Sequence, residues 1–232
     1  MSQCLGVDRN KLIEAGWLDQ NKKLLIKKFT SSSEYQKFKE FIDKYAYFRE
    51  RHGDSGCETD PSFQQLIGYG FWMDKQGKVL TYTRGGTHYN EKRLHGKISI
   101  GLGGHTDEAD ADIAAGLARE ICEETIIWQG KRKLVVPPDS HPTDWLAAYC
   151  QLVPLGLIKD DRPDSAGNVG QVHLGVVFQI QPVSDDIHLT IQIGHESVKQ
   201  ELIVVEKLKQ LAQSEPEQME TWTSLVAQHF MS

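Results

Sequence analysis

The sequence predicts an α/β fold: a mixed, partly antiparallel sheet covered by helices, with a small N-terminal extension. Three observations carry this. Apolar runs of strand length recur from Gln65 onward. Stretches of helical period interleave with them, the pattern of a sheet flanked by helices. Finally, 232 residues with 39% hydrophobic and 25% charged side chains can bury a sizeable core, which excludes a disordered chain.

Taken in order, Ser31 and Glu34 form a capping-box pattern ahead of Tyr35, Phe38, Phe41, Ile42, Tyr45 and Phe48, which are spaced for one helix face. Glu50 to Pro61 holds Gly53, Asp54, Ser55 and Gly56 and reads as a loop. Residues 1–60 are therefore expected to form an extension packed on a main domain of residues 61–232. Leu66–Met73 and Val79–Thr83 flank the turn Asp74-Lys75-Gln76-Gly77 and predict a hairpin. Ile98–Leu102 is a short strand ending in Gly103-Gly104, followed by the acidic loop Thr106–Asp110 and a helix from about Ala111 to Thr125. Leu146–Ile158 and Val172–Ile180 read as strands, joined by a polar loop from Lys159 to Gly170. Leu202–Val205 is β-like, and a helix follows over Glu206–Ala212. Ser214 and Glu217, with Pro216 between them, start a last helix ending near Phe230.

The formal net charge of -6 does not suit a nucleic-acid polymer as partner, because such binding neutralises phosphates with Lys and Arg. It leaves room for a local basic pocket. No apolar run approaches 18 residues and no secretory signal is seen, so neither a membrane partner nor export is expected. Cys4, Cys57, Cys122 and Cys150 are scattered, without a C-x-x-C pair, and read as free thiols of a reducing cytoplasm. The nine histidines show no zinc spacing, and nucleophile-elbow and P-loop motifs are absent from the sequence.

The informative segment is Gly101 to Thr125. Glu120, Glu123 and Glu124 are spaced i, i+3 and i+4, so three carboxylates project from one helix face. Ile113, Leu117 and Ile121 form a separate apolar stripe. Like charges so close repel. Arg119, four residues before Glu123, offsets part of the repulsion, and a divalent cation would offset the rest. Mg²⁺ prefers oxygen ligands and is often shared between carboxylates and substrate phosphates. A solvated acidic helix face is the plain alternative for the trio alone. The strand and glycine pair just before the helix count against it, since glycine lets backbone approach a ligand closely.

Arg119-Glu120-Ile121-Cys122-Glu123-Glu124 resembles the second half of the signature of the Nudix hydrolase superfamily. The first half departs: counted without gaps, His105 falls at its glycine and Ala111 at its glutamate. One extra loop residue restores Gly104, with Asp110 or Asp112 in place of the acid. Ile126 stands where the signature has its last glycine. The segments from Leu94 to His105, Val172 to Phe178 and Glu220 to Leu225 are similar to a Nudix subfamily known as predicted phosphoesterases. The resemblance implies an α/β/α sandwich and Mg²⁺ or Mn²⁺ as cofactor. It implies Glu120, Glu123 and Glu124 as metal ligands, with a carbonyl of Gly104 or Gly103. It implies hydrolysis of a phosphoanhydride in a small phosphorylated substrate, a nucleotide or nucleoside diphosphate-linked compound, with Arg119 orienting the glutamates.

Other residues are weaker candidates. Arg84, Arg93, Lys97, His95 and His105 crowd the approach to the glycines and could grip phosphates, or be surface charge. Asp161 and Asp164, ahead of Asp160, are candidates for a general base; Glu196 and Glu201 are remoter ones. Two other readings stay open at this point. One is a Nudix-fold module that senses a nucleotide without cutting it. The other is an interaction protein, a homodimer using the N-terminal helix as its surface.

Overall fold

A computed structural model describes residues 3–53, 56–85, 94–162, 169–192 and 197–231. Its elements are β1 (Gln3–Asp8), α1 (Arg9–Glu14), β2 (Leu24–Lys28), α2 (Ser32–Tyr45), β3 (Tyr47–Glu50), a 3-10 turn (Cys57–Thr59), β4 (Phe63–Trp72), β5 (Lys78–Arg84), β6 (Ile98–Ser99), α3 (Ile113–Glu124), β7 (Thr125–Gln129) and β8 (Arg132–Lys133). There follow α4 (Pro142–Ala147), β9 (Cys150–Asp160), α5 (Val169–Val172), β10 (His173–Pro182), β11 (Ile187–Ile191), β12 (Ser197–Val204), α6 (Val205–Ser214), a further 3-10 turn (Pro216–Gln218) and α7 (Thr221–His229). The expected α/β class is found. A six-stranded mixed sheet has the order β2-β9-β10-β4-β1-β3, and two three-stranded sheets run β11-β7-β8 and β12-β5-β6. The chain divides into two compact units, residues 1–69, 104–117 and 154–177 in one, and 70–103, 118–153 and 178–232 in the other.

In the first unit β1 lies antiparallel to both β3 and β4, with Leu5 opposite Phe48 and Asp8 opposite Phe63. The close fit needs Gly6, where a Cβ would stand 2.3 Å from the Phe63 ring. Helix α2 buries Phe38 and Ile42, and Phe38 meets Trp17 edge-on at 5.0 Å. Burying such side chains contributes roughly 1.5–3 kcal/mol each. The capping box is only half made. Glu34 accepts from the Thr30 backbone at 2.8 Å, while the Ser31 hydroxyl bonds the Ser33 hydroxyl rather than a helix N–H. Phe48 is not on the helix face where the spacing put it. Ala46 turns extended, and Phe48 joins β3.

The loop expected from Lys159 is shorter than the sequence suggested. Strand β9 continues through Asp160, paired with Leu24 of β2, and Lys159 and Asp160 are 2% and 7% exposed. A charged pair of residues in a row reads as solvent-facing, yet here both are buried, Lys159 paired with the part-buried Asp161 and Asp160 with the half-exposed Arg162.

In the second unit Asp74 accepts from the backbone of Gln76 and Lys78 and closes the expected turn, and β5 then runs between β12 and β6. The strand expected from Leu146 begins only at Cys150. His141 caps Thr143 at 3.4 Å and Pro142 sits in the first turn, so Leu146 belongs to α4. The last helix starts at Thr221, because Pro216 builds only a 3-10 turn. Among the described residues no helix is long and apolar enough to cross a membrane.

Candidate functional site

The site is built on α3 and the glycine turn ahead of it. Ile113, Leu117 and Ile121 are buried, as the apolar stripe required. Gly68 of β4 lets α3 approach: a Cβ there would lie 3.0 Å from the Leu117 Cβ. Asp112 starts the helix, accepting from Ala115 N–H at 2.9 Å and pairing with Lys39 at 3.5 Å. Asp110 accepts from Asp107 N–H at 2.8 Å. Both aspartates considered as stand-ins for the signature acid thus support the loop and the helix start.

The carboxylates occupy the last two turns of α3. Arg119 donates to Glu120 at 2.9 Å and to Glu123 at 3.4 Å, so it bridges two of the three like charges. Glu123 is the solvent-facing member, its side chain 59% exposed against 20% for Glu120. Glu124 is held from the other side, by the Gly103 N–H at 3.3 Å. Gly103 has φ +116°, a conformation that favours glycine, which explains why glycine is needed at this turn. Tyr82 fixes the turn one step earlier by donating to the Gly101 carbonyl at 2.5 Å. Burial holds the Tyr82 hydroxyl protonated, so it serves as a donor.

The helix end resolves the departure at Ile126. No glycine is needed because α3 passes directly into β7. Thr125 Oγ1 donates to the Ile121 carbonyl at 2.5 Å. Gln192 donates through its amide nitrogen to Glu123 O at 2.9 Å and through its backbone to Glu124 O at 3.1 Å. The carbonyls that a helix C-terminus leaves unsatisfied are therefore capped from a residue far along the chain.

Among the described residues no three His, Cys, Asp or Glu side chains converge into a ready metal cage. The donor set nevertheless fits a hard divalent ion. It is all oxygen, and Mg²⁺ commonly takes one or two carboxylates and completes its shell with water and substrate phosphates. The Gly104 carbonyl accepts from Gly68 N–H at 3.1 Å, so one of its two lone pairs is committed to β4.

The phosphate-gripping candidates divide. Arg84 lies 3.6 Å from Glu220 and stacks 5.4 Å above the Tyr82 ring. Lys97 Nζ donates to the Glu217 carbonyl. His105 bonds Gln65 at 2.8 Å, and burial, then Arg51, draws its pKa from 6.5 to about 3. It is therefore held neutral near pH 7. Arg93, Asp164 and Glu196 lie outside the described residues. Asp161 is clamped at 2.6 Å by both Arg9 and Lys159. Asp160 is held by Arg162 at 2.7 and 2.8 Å. Glu201 lies on β12, 3.5 Å from Lys199. Sequence reasoning missed Tyr82 and Gln192, and gave Glu220 no role. Glu220 accepts from Ser99 Oγ at 2.5 Å besides its contact with Arg84. Only its place in the closing Glu220–Leu225 segment hinted at it.

No family model matches the chain. Protein YmaB of Bacillus subtilis (strain 168) is 35% identical over 138 residues, covering 59% of this chain and 57% of that protein, so the match spans little more than half of the relative's length. Among solved structures, Tm1382, a candidate Nudix hydrolase, superposes with a TM-score of 0.63 at 24% identity, covering 99% of this chain and 98% of its own. DR0079 from Deinococcus radiodurans reaches a TM-score of 0.48 at 13% identity, over 81% of this chain and 94% of that one.

Proposed function

We propose that this chain, which has the Nudix fold, is a divalent-metal-dependent hydrolase of a phosphoanhydride in a small phosphorylated substrate, a nucleotide or nucleoside diphosphate-linked compound. One observation carries the proposal. Three carboxylates lie on the last two turns of α3, two held by one guanidinium and the third by a backbone N–H of the glycine turn. Like-charge pairs at this spacing are destabilising by about 0.2–0.5 kcal/mol each, and an idle acidic face needs no such anchors. Here Glu120 and Glu123 are gathered on Arg119, and Glu124 is aimed at the glycine turn.

In this reading Glu120, Glu123 and Glu124 hold Mg²⁺ or Mn²⁺, with a carbonyl of the Gly103-Gly104 turn as a further donor. When bound, the ion neutralises charge on the phosphoryl oxygens and activates water for attack. Arg119 touches carboxylates rather than substrate and is a positioning residue. Tyr82 and Glu220 keep the turn and Arg84 in place, and Arg84 and Lys97 remain the described cations proposed for substrate phosphates. Asp161 remains a proposed general base only if its clamp by Arg9 and Lys159 opens to the attacking water. Residues 1–60 are proposed as an extension that builds onto the sheet through β1 and β3, with residues 61–232 as the hydrolase domain.

The test is a screen of nucleoside diphosphate-linked compounds for phosphate or nucleotide release with Mg²⁺, Mn²⁺ or chelator. Metal-dependent release from at least one class supports hydrolysis. Saturable nucleotide binding with no release under any metal would favour the non-cutting sensor instead.

A further inference from the structure

Two thiols outside the α3 site lie side by side. Cys4 Sγ on β1 and Cys57 Sγ on the first 3-10 turn are 3.2 Å apart, separated by 53 positions in sequence. Both are fully buried and share one apolar cluster with Phe63. Cys4 also donates to Gln65 Oε1 at 3.4 Å, Gln65 Nε2 donates to the Cys57 carbonyl at 3.2 Å, and Gln65 Oε1 bonds His105 at 2.8 Å. One carboxamide thus ties both cysteines to the segment that leads into α3.

We propose that Cys4 and Cys57 form a site of oxidative modification, a dithiol that a peroxide converts to an intramolecular disulfide. A disulfide needs an S–S distance of about 2.05 Å, so the sulfurs must close by only about 1 Å. Access comes through the Cys57 side. Gly56, just before the Cys57 turn, packs on the Arg51–His52 backbone, and in that surface segment His52 and Gly53 are exposed. That segment is held by the Arg51–Glu58 ion pair at 3.3 Å and the Glu58 N–H to Arg51 carbonyl bond at 3.1 Å. Short surface turns of this kind open locally at low free energy. In the closed form burial and the neighbouring thiol keep Cys4 protonated, so oxidation follows opening.

The chemistry balances. A Cys57 thiolate attacks one peroxide oxygen, breaking the O–O bond to give a sulfenic acid and hydroxide. The Cys4 thiolate then attacks the Cys57 sulfur, forming the S–S bond and expelling a second hydroxide. The two thiol protons and the two hydroxides make two waters. The dithiol loses two electrons and the peroxide gains them. The product pins β1 to the turn, and Gln65 loses the Cys4 donor while keeping His105. None of this depends on the hydrolase reading.

The test treats the full chain with a few equivalents of hydrogen peroxide, then quenches, denatures and counts thiols. Of the four free cysteines, two should vanish, with a mass loss of about 2 Da and a Cys4–Cys57 cross-linked peptide in the digest. The oxidised protein should melt several degrees higher than the reduced one, because the cross-link restricts the unfolded chain. Cys57→Ser should abolish the rapid loss, and Cys4→Ser should abolish the cross-link while Cys57 alone is still oxidised to a sulfenic acid. Earlier consumption of Cys122 or Cys150, survival of all four thiols, or a different cross-link would overturn the proposal. If a serine variant does not fold, the wild-type peptide map decides alone.

Discussion

Asp161→Asn removes the carboxylate shared by Lys159 and Arg9, and its cost can be worked from the structure. Lys159 is 2% exposed, and burial draws its pKa from 10.5 to about 8 in spite of the opposing pull of Asp161. The unfolded chain keeps the lysine proton up to the higher value, the folded chain only to the lower. The charged lysine therefore costs stability below pH 8, and that cost fades as pH rises from 8 towards 10.5. Each pH unit between folded and unfolded pKa is worth about 1.4 kcal/mol, so the cost already carried is about 3 kcal/mol. Without Asp161 the lysine can escape by losing its proton. At pH 7 this caps the added cost at about 1 kcal/mol, and at pH 6 at about 3 kcal/mol. Losing the part-buried Arg9–Asp161 hydrogen bond at 2.6 Å adds about 1 kcal/mol at any of these pH values. We expect Asp161→Asn to lose about 4 kcal/mol at pH 6, about 2 at pH 7 and about 1 at pH 9. Urea unfolding of both proteins at the three pH values measures this. A loss that does not vary with pH, or none at pH 7, would refute the account of Lys159. The same variant separates structure from chemistry: a large fall in kcat at pH 9, where the stability loss is small, would assign the general-base duty to Asp161.

Further expectations concern α3. Gly68→Ala should destabilise by about 1–3 kcal/mol, because the new methyl meets the Leu117 Cβ at 3.0 Å; thermal melting reads it. Gln192→Ala removes the side-chain cap on Glu123 O and should cost about 0.5–1 kcal/mol, measured by chemical denaturation. Mg²⁺ or Mn²⁺ should raise the melting temperature over chelator, by the equivalent of about 2.7 kcal/mol at a hundredfold excess over Kd.

Local pattern made α3 legible: the i, i+3, i+4 carboxylates and the buried Ile113, Leu117 and Ile121 are properties of one helix. Turn chemistry likewise located Asp74 and the glycine pair. What stayed hidden depends on partners distant in sequence. Lys159 looked solvent-bound because its acceptors, the carbonyls of Gly170 and Gln171, come from a later segment. His105 looked like a cation because Gln65, its partner, precedes it by 40 residues. Ile126 looked like a broken helix end because Gln192, which does the capping, lies 69 positions beyond Glu123. Leu146 and Phe48 were assigned by apolar spacing, but Pro142 and the extended Ala46 moved the element boundaries.

The central claim is that the carboxylates of α3 serve metal-dependent hydrolysis. Glu124→Gln tests it most directly, since the amide oxygen can still accept from Gly103 N–H while the negative charge is lost. Turnover of a diphosphate-linked nucleotide should be measured with saturating Mg²⁺ and Mn²⁺, alongside a thermal melt of both proteins. The account predicts a drop of at least about a hundredfold in kcat with the fold retained. Equal turnover in wild type and variant would contradict it.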